Sequence, residues 1–190
     1  MAEIQFTDRD SGNIQKTQGS DGRLDVSSRS DGRGYYNSRD ESESYSLIFD
    51  DANATALDFV VYLRNDKTDG KHMVIRSASV NGEVTSKFSF LRVSGTAGGG
   101  AAATPTNLNQ AGVARSATAT ALATADSGVT PMSGLTAGAE IDHVQVVAGG
   151  HEEFRFQDQL RLGQDQAVAI RMDAGTLNSQ VFGVIFFYFE

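Results

Sequence analysis

The sequence predicts an all-β protein: a jelly-roll-like β-sandwich over residues 45–190 behind an extended N-terminal arm, residues 1–44. Three observations carry that reading. Short apolar and polar runs with a period of two recur from residue 45 onward, the signature of strands. There are 20 glycines against 2 prolines, which suits many tight turns. The first 44 residues hold 15 charged positions of both signs, and no period of 2 or 3.6 organises their few apolar residues.

At 190 residues the chain is long enough for one ordinary domain with a real core and too short for two. A hydrophobic fraction of 39% is low for a globular protein, and the deficit is concentrated in the arm. The formal net charge of −8 repels phosphate backbones, so free nucleic acid is not expected as a partner. Zero cysteines excludes disulfides, thiol nucleophiles and zinc–thiolate sites together. The first ten residues lack a positive start followed by an apolar stretch, and the longest apolar run, 181–189, falls far short of the roughly 20 residues that span a bilayer. The expectation is a soluble chain without a secretory signal or a membrane partner.

Within the arm, Ser-Asp-Gly-Arg occurs twice, at 20–23 and 30–33, and Asp-Gly marks a turn each time. Arginines and tyrosines are interleaved around these turns, at Arg23, Arg29, Arg33, Tyr35, Tyr36 and Arg39. That composition suits docking onto another protein surface, and equally a solvated tail. After the arm, Leu57, Phe59, Val61 and Leu63 alternate with Asp58, Val60, Tyr62 and Arg64, which predicts a strand. A loop over 65–70 and a second strand over 73–80 follow. Asn81-Gly82 stands between that strand and another ending at Val93, and Asn-Gly between two β-type runs predicts a hairpin because both positions tolerate positive φ. Between residues 94 and 139 only Arg115 and Asp126 are charged. Gly98-Gly99-Gly100 and Ala101-Ala102-Ala103 read as a flexible loop, and the Ala/Thr alternation over 117–122 reads as a strand whose small side chains suit a close subunit contact. Further strands are expected over 141–148, 153–156, 167–172 and 181–189. The last is apolar on both faces, which predicts a central buried strand or one half-buried in an oligomer. Eight or so short strands without a convincing helix favour a jelly roll over an immunoglobulin-like domain.

Chemistry-bearing motifs are few. Of the three histidines, His72 borders a turn, His143 alternates with Ile141 and Gln145, and His151 opens a His-Glu-Glu run able in principle to ligate a metal but more often a solvated cluster. Asp50-Asp51 with Asn53 offers oxygen ligands without the spacing of a calcium loop, and reads as a polar loop after a strand. The glycines at 98–100 lack the Gly-Lys-Ser/Thr ending of a phosphate loop, and Gly-x-Ser-x-Gly is absent. No catalytic residue, metal ligand or cofactor is expected.

Three segments, taken together, carry a resemblance. They are the arm from Arg23-Leu24-Asp25-Val26-Ser27-Ser28-Arg29 to Tyr35-Tyr36-Asn37-Ser38-Arg39-Asp40, the run Phe59-Val60-Val61-Tyr62-Leu63-Arg64-Asn65-Asp66 with Met73-Val74-Ile75-Arg76, and Thr104-Pro105-Thr106-Asn107-Leu108-Asn109. The chain resembles the jelly-roll decoration, or cement, proteins of tailed-bacteriophage capsids, with the alanine-rich stretch 97–103 as a departure. The resemblance implies a non-enzymatic virion protein, made in the host cytoplasm and seated on the outer capsid surface. It implies homotrimers bound to the major capsid protein, with Arg23, Arg29, Arg33, Tyr35, Tyr36 and Arg39 of the arm as the capsid contact.

Three other readings compete. A tail or head-fibre attachment module would show a concave polar pocket with exposed aromatic residues, and would bind a host glycan or protein. A jelly-roll enzyme needs clustered ligands or paired carboxylates. A shell-building coat protein would carry a basic arm, whereas residues 1–44 hold nine acids and six bases.

Overall fold

The computed structural model describes residues 4–7, 14–17, 43–54, 57–109, 115–123, 132–174 and 179–190. The chain divides into two compact units, Met1–Asp31 and Gly32–Glu190. In the first, β1 (Ile4–Thr7) and β2 (Ile14–Thr17) pair antiparallel.

Among the described residues, the second unit is a β-sandwich of eleven strands. They are β3 (Ser44–Ala54), β4 (Phe59–Asn65), β5 (Met73–Gly82), β6 (Ser86–Gly98), β7 (Ala101–Ala102), β8 (Thr106–Asn107), β9 (Ala119–Ala123), β10 (Ser133–Val146), β11 (Gly150–Leu162), β12 (Ala167–Ala174) and β13 (Ser179–Phe189). One sheet has the order β10-β6-β12-β4-β9-β7 and the other β11-β5-β13-β3-β8. Every pairing is antiparallel, and no described residue is helical. The eight long strands pair in nested couples: β3 with β13, β4 with β12, β5 with β11, and β6 with β10. The chain is thus laid out as one long hairpin and rolled into two sheets, with β7, β8 and β9 inserted at its far end.

The main core fills the space between the sheets. From one side come Val61, Leu63, Phe88, Phe90, Val168 and Ile170, and from the other Leu47, Phe49, Ile75, Val80, Ile185 and Phe187, all buried. Phe90 of β6 meets Phe154 of β11 edge to face across the gap, at 5.5 Å between ring centres. Tyr45 stacks on Phe187 at 5.4 Å. Such aromatic pairs add roughly 0.5–1.5 kcal/mol each to the area they bury. Gly183 of β13 lies opposite Phe49, and a Cβ there would strike the Ser79 carbonyl and the Phe49 ring. Only glycine lets that ring lie flat on the strand.

A second, smaller cluster lies on the other face of the six-stranded sheet, formed by Tyr62, Leu91, Val93, Met132, Ala167 and Ala169. It buries Tyr62 on the face of β4 that the alternation of the sequence predicts to be wet, while Val60, Val61 and Leu63 pack in the main core.

Four local expectations are corrected. Asn81-Gly82 does not turn a hairpin: neither residue has positive φ, and both continue β5, which pairs with β13 and β11 while β6 joins the other sheet. Residues 83–85 are therefore a crossing between layers. The stretch 98–103 is not a single loop: Gly99 and Gly100, each with φ of 70°, form a short bend after β6, and Ala101–Ala102 pair with β9 as β7. Asp50 and Asp51 lie inside β3, not in a loop after it. Finally, the small side chains of β9 serve contacts within the sandwich, with Ala121 and Ala123 packed in the main core.

Candidate interaction surfaces

The arm residues Arg23, Arg29, Arg33, Tyr35, Tyr36 and Arg39 lie outside the described residues. Within the second unit the described residues begin at Glu43, just ahead of β3, and this residue is held by side-chain contacts. Its carboxylate, 3% exposed, accepts a hydrogen bond of 2.7 Å from Lys67 Nζ and another from Lys71 Nζ. Arg115 Nη1 stands 3.8 Å away. Burial disfavours the charge, but the hydrogen bonds and fields of the two lysines outweigh it and hold the carboxyl below the usual glutamate range. Lys67 also lies 5.0 Å from the centre of the Phe189 ring. The loop carrying both lysines is built on buried Asn65, whose amide donates to the carbonyls of Lys71 (3.1 Å) and Leu162 (2.9 Å) and whose oxygen accepts from Lys67 N (2.9 Å). The start of β3 is thus clamped to the β4–β5 loop.

A second polar cluster joins β6, β10 and β12. Buried Ser89 places its hydroxyl against Glu140 (2.8 Å) and Asp173. Arg171 Nε donates to Asp173 at 2.7 Å, and His143 Nδ1 lies 2.9 Å from the other oxygen of Glu140. The hydroxyl of Ser89 holds Glu140 below the usual glutamate range. A carboxylate stands between the hydroxyl and the imidazole, and the cluster cross-links three strands.

The other sequence candidates are scattered. His72 exchanges backbone hydrogen bonds with Glu190 (2.8 and 3.0 Å) and leaves its ring exposed. His151 is exposed on β11, opposite Asn81. Asp50 is exposed while Asp51 is 2% exposed, so the two adjacent carboxylates point to opposite faces of β3 and do not converge on one cation. Among the described residues no group of three or more His, Cys, Asp or Glu is placed to hold a metal ion.

The outer face of the five-stranded sheet is different in kind. Along its central strand β13, Phe182, Val184 and Phe186 alternate with the buried Val181, Gly183, Ile185 and Phe187. Phe182 is 47% exposed, and Ile48, opposite Val184 on β3, is 71% exposed. Polar side chains flank this stripe on the β5 side: Asn81 opposite Phe182, Ser79 opposite Val184 and Ser77 opposite Phe186. Two shallow concavities follow. One has Phe186, Arg76, Ser77 and Glu153 in its lining; the other has Phe182, Ile48, Asp50 and Asn81.

A bulge puts Arg76 on this face. Ser77 pairs with Phe186 and Ile75 with Phe187, so Arg76 is the extra residue of β5. On the other side β11 detours through 156–159, between Arg155 opposite Ser77 and Leu160 opposite Ile75. Gln157 and Asp158 there take φ of 47° and 62°, left-handed values that cost side-chain-bearing residues energy. Ile75 and Ala78 both remain in the core, and Arg76 and Ser77 occupy the outward side between them.

No family model matches the chain, and neither does any curated protein or solved structure.

Proposed function

We propose that the chain is a virion structural protein, a capsid decoration or cement protein that binds the outer surface of a phage head and stabilises it through its arm and subunit contacts. One observation carries the reading. The central strand of the five-stranded sheet turns Phe182, Val184 and Phe186 outward beside Ile48, where a solvated antiparallel sheet carries polar side chains. A contiguous apolar stripe on a sheet face suits contact with a macromolecule.

Two further features support it. The nested pairing of the eight long strands supports the jelly-roll reading, an architecture of viral capsid and lectin domains. The resemblance of the arm and of the β4–β5 segment to capsid decoration proteins supplies the phage head as the setting. In this reading Arg23, Arg29, Arg33 and Arg39 give charge-assisted hydrogen bonds to the major capsid protein, and Tyr35 and Tyr36 bury aromatic surface against it. Ordering such an arm costs roughly 1–2 kcal/mol of backbone entropy per residue, so it must make many contacts. A net charge of −8 suits a body held outside the shell, away from packaged DNA.

Adding purified chain to heads that lack it tests the reading. The chain is expected to sediment with the heads and to raise the temperature at which they release their genome. Chain left in the supernatant contradicts the proposal.

A second reading, an attachment module for host glycans, draws support from the concavity at Phe186, Arg76 and Glu153, where an exposed aromatic ring stands among polar side chains. A glycan array tests it directly: binding of a defined sugar that is lost in Phe186→Ala favours this reading.

A further inference from the structure

One row of side chains crosses the outer face of the five-stranded sheet from strand to strand. Phe182 of β13 lies opposite Asp50 of β3 on one side and Asn81 of β5 on the other, and Asn81 lies opposite His151 of β11. Directly opposed residues share a face, so the order across the row is carboxylate, ring, amide, imidazole. Neighbours in such a row stand roughly 4.5–5.5 Å apart between Cα atoms. Phe182 is 47% exposed, and Asp50 and His151 are exposed as well. Asn81 Nδ2 donates a long hydrogen bond, 3.4 Å, to the carbonyl of Phe182, which keeps the amide beside the ring. Asp50 makes no ion pair or hydrogen bond with another described residue. The surface around Phe182 is concave, with a volume of about 530 Å³ and with Ser79 and Gln180 also in its lining. That volume lies within the range of small-ligand sites.

We propose that this row binds a neutral saccharide, with one pyranose laid on the Phe182 ring. An exposed aromatic ring offers flat apolar area to the C–H face of a sugar, whose hydroxyls then point sideways. Those hydroxyls both donate and accept. The Asp50 carboxylate only accepts, from as many as two neighbouring hydroxyls, while the Asn81 amide donates and accepts. The two groups stand on opposite sides of the ring, one strand spacing away, so a sugar on Phe182 reaches both. Three paired strands hold the constellation in place before any ligand arrives. The same groups sort among ligands. An apolar side chain pressed onto Phe182 would strip water from Asp50 without replacing its hydrogen bonds. An acidic sugar would bring its charge to the Asp50 carboxylate, on a chain whose net charge is −8. The inference is independent of capsid binding, and it uses neither Arg76 nor Phe186.

An array carrying galactose-, glucose- and mannose-terminated oligosaccharides beside sialylated ones, probed with the full chain, tests it. Isothermal titration with the oligosaccharide bound best gives the affinities. At least one neutral oligosaccharide is expected to bind. Phe182→Ala and Asp50→Asn should each weaken it about tenfold or more, and Phe186→Ala should leave it within about twofold. Phe182, Asp50 and Phe186 are all exposed, and a circular dichroism spectrum and melt for each variant shows that it folds. No bound saccharide, binding of sialylated ones alone, or binding that survives both Phe182→Ala and Asp50→Asn overturns the proposal. Binding lost in Phe186→Ala but kept in Phe182→Ala overturns it too, and supports the attachment reading at the other concavity instead. Sedimentation with heads is measured separately, so either result can fail without the other.

Discussion

Lys67 Nζ donates a 2.7 Å hydrogen bond to the Glu43 carboxylate, and in doing so ties the loop between β4 and β5 to the residue at which the sandwich begins. Glu43 is 3% exposed and Lys67 also faces the Phe189 ring, so the contact lies at the margin of the core. Removing the carboxylate leaves a lysine with little water around it.

Glu43→Gln should therefore destabilise the sandwich by roughly 2–3 kcal/mol, below the cost of breaking a fully buried pair because Lys71 keeps some solvent. The effect depends on pH with a definite sign. The folded-state pKa of Glu43 is depressed, so its contribution is present above the ordinary glutamate value and is lost as pH falls through the depressed one. Urea melts at neutral pH and near about pH 3 check this: the difference between wild type and Glu43→Gln should shrink in acid. A constant difference contradicts it.

Phe186 and Phe187 are neighbours with opposite fates. Phe187 is 2% exposed and stacks on Tyr45, whereas Phe186 is 36% exposed on the outer face. Phe187→Ala should cost about 3–5 kcal/mol. Phe186→Ser should change the stability of the monomer by less than about 1 kcal/mol. Thermal melts at low protein concentration separate the two, and equal losses would mean that the strand is turned the other way.

Gly183→Val should be destabilising although it only adds an apolar side chain to a buried strand position. The new side chain must displace the Phe49 ring or the Ser79 carbonyl, an overpacking that costs about 1–3 kcal/mol or more. A denaturant midpoint unchanged from wild type contradicts the close approach.

Deleting residues 1–40 leaves every strand from β3 to β13 in place. The truncated chain should keep its β-sheet circular dichroism and its melting temperature while losing attachment to heads. Failure to fold would show that the removed segment belongs to the core.

The strands were legible where alternation or a doubly apolar run reported directly on burial. The run 181–189 reads as a central strand or one half-buried in an oligomer, and β13 is the middle strand of its sheet with one face buried and Phe182 and Phe186 exposed on the other. The Ala/Thr alternation read as a strand, and β9 is one. Asn81-Gly82 misled because the hairpin signal is local, whereas the pairing of β5 with β13 was decided by residues about a hundred positions away. The polar clusters were invisible for the same reason: Ser89 meets Glu140 and Asp173 across separations of 51 and 84 residues. Arg76 reaches the outer face only through a bulge, which breaks the period of two on which a sequence reading relies. The arm residues carry their signal in composition alone.

The central claim is attachment to the outside of a phage head, and electron cryo-microscopy of the virion that carries this chain tests it most directly. The account predicts density for the two-sheet sandwich on the outer shell, seated on the major capsid protein with the segment before Glu43 reaching over it. A shell without that density, or the chain found only at the tail tip, would contradict it.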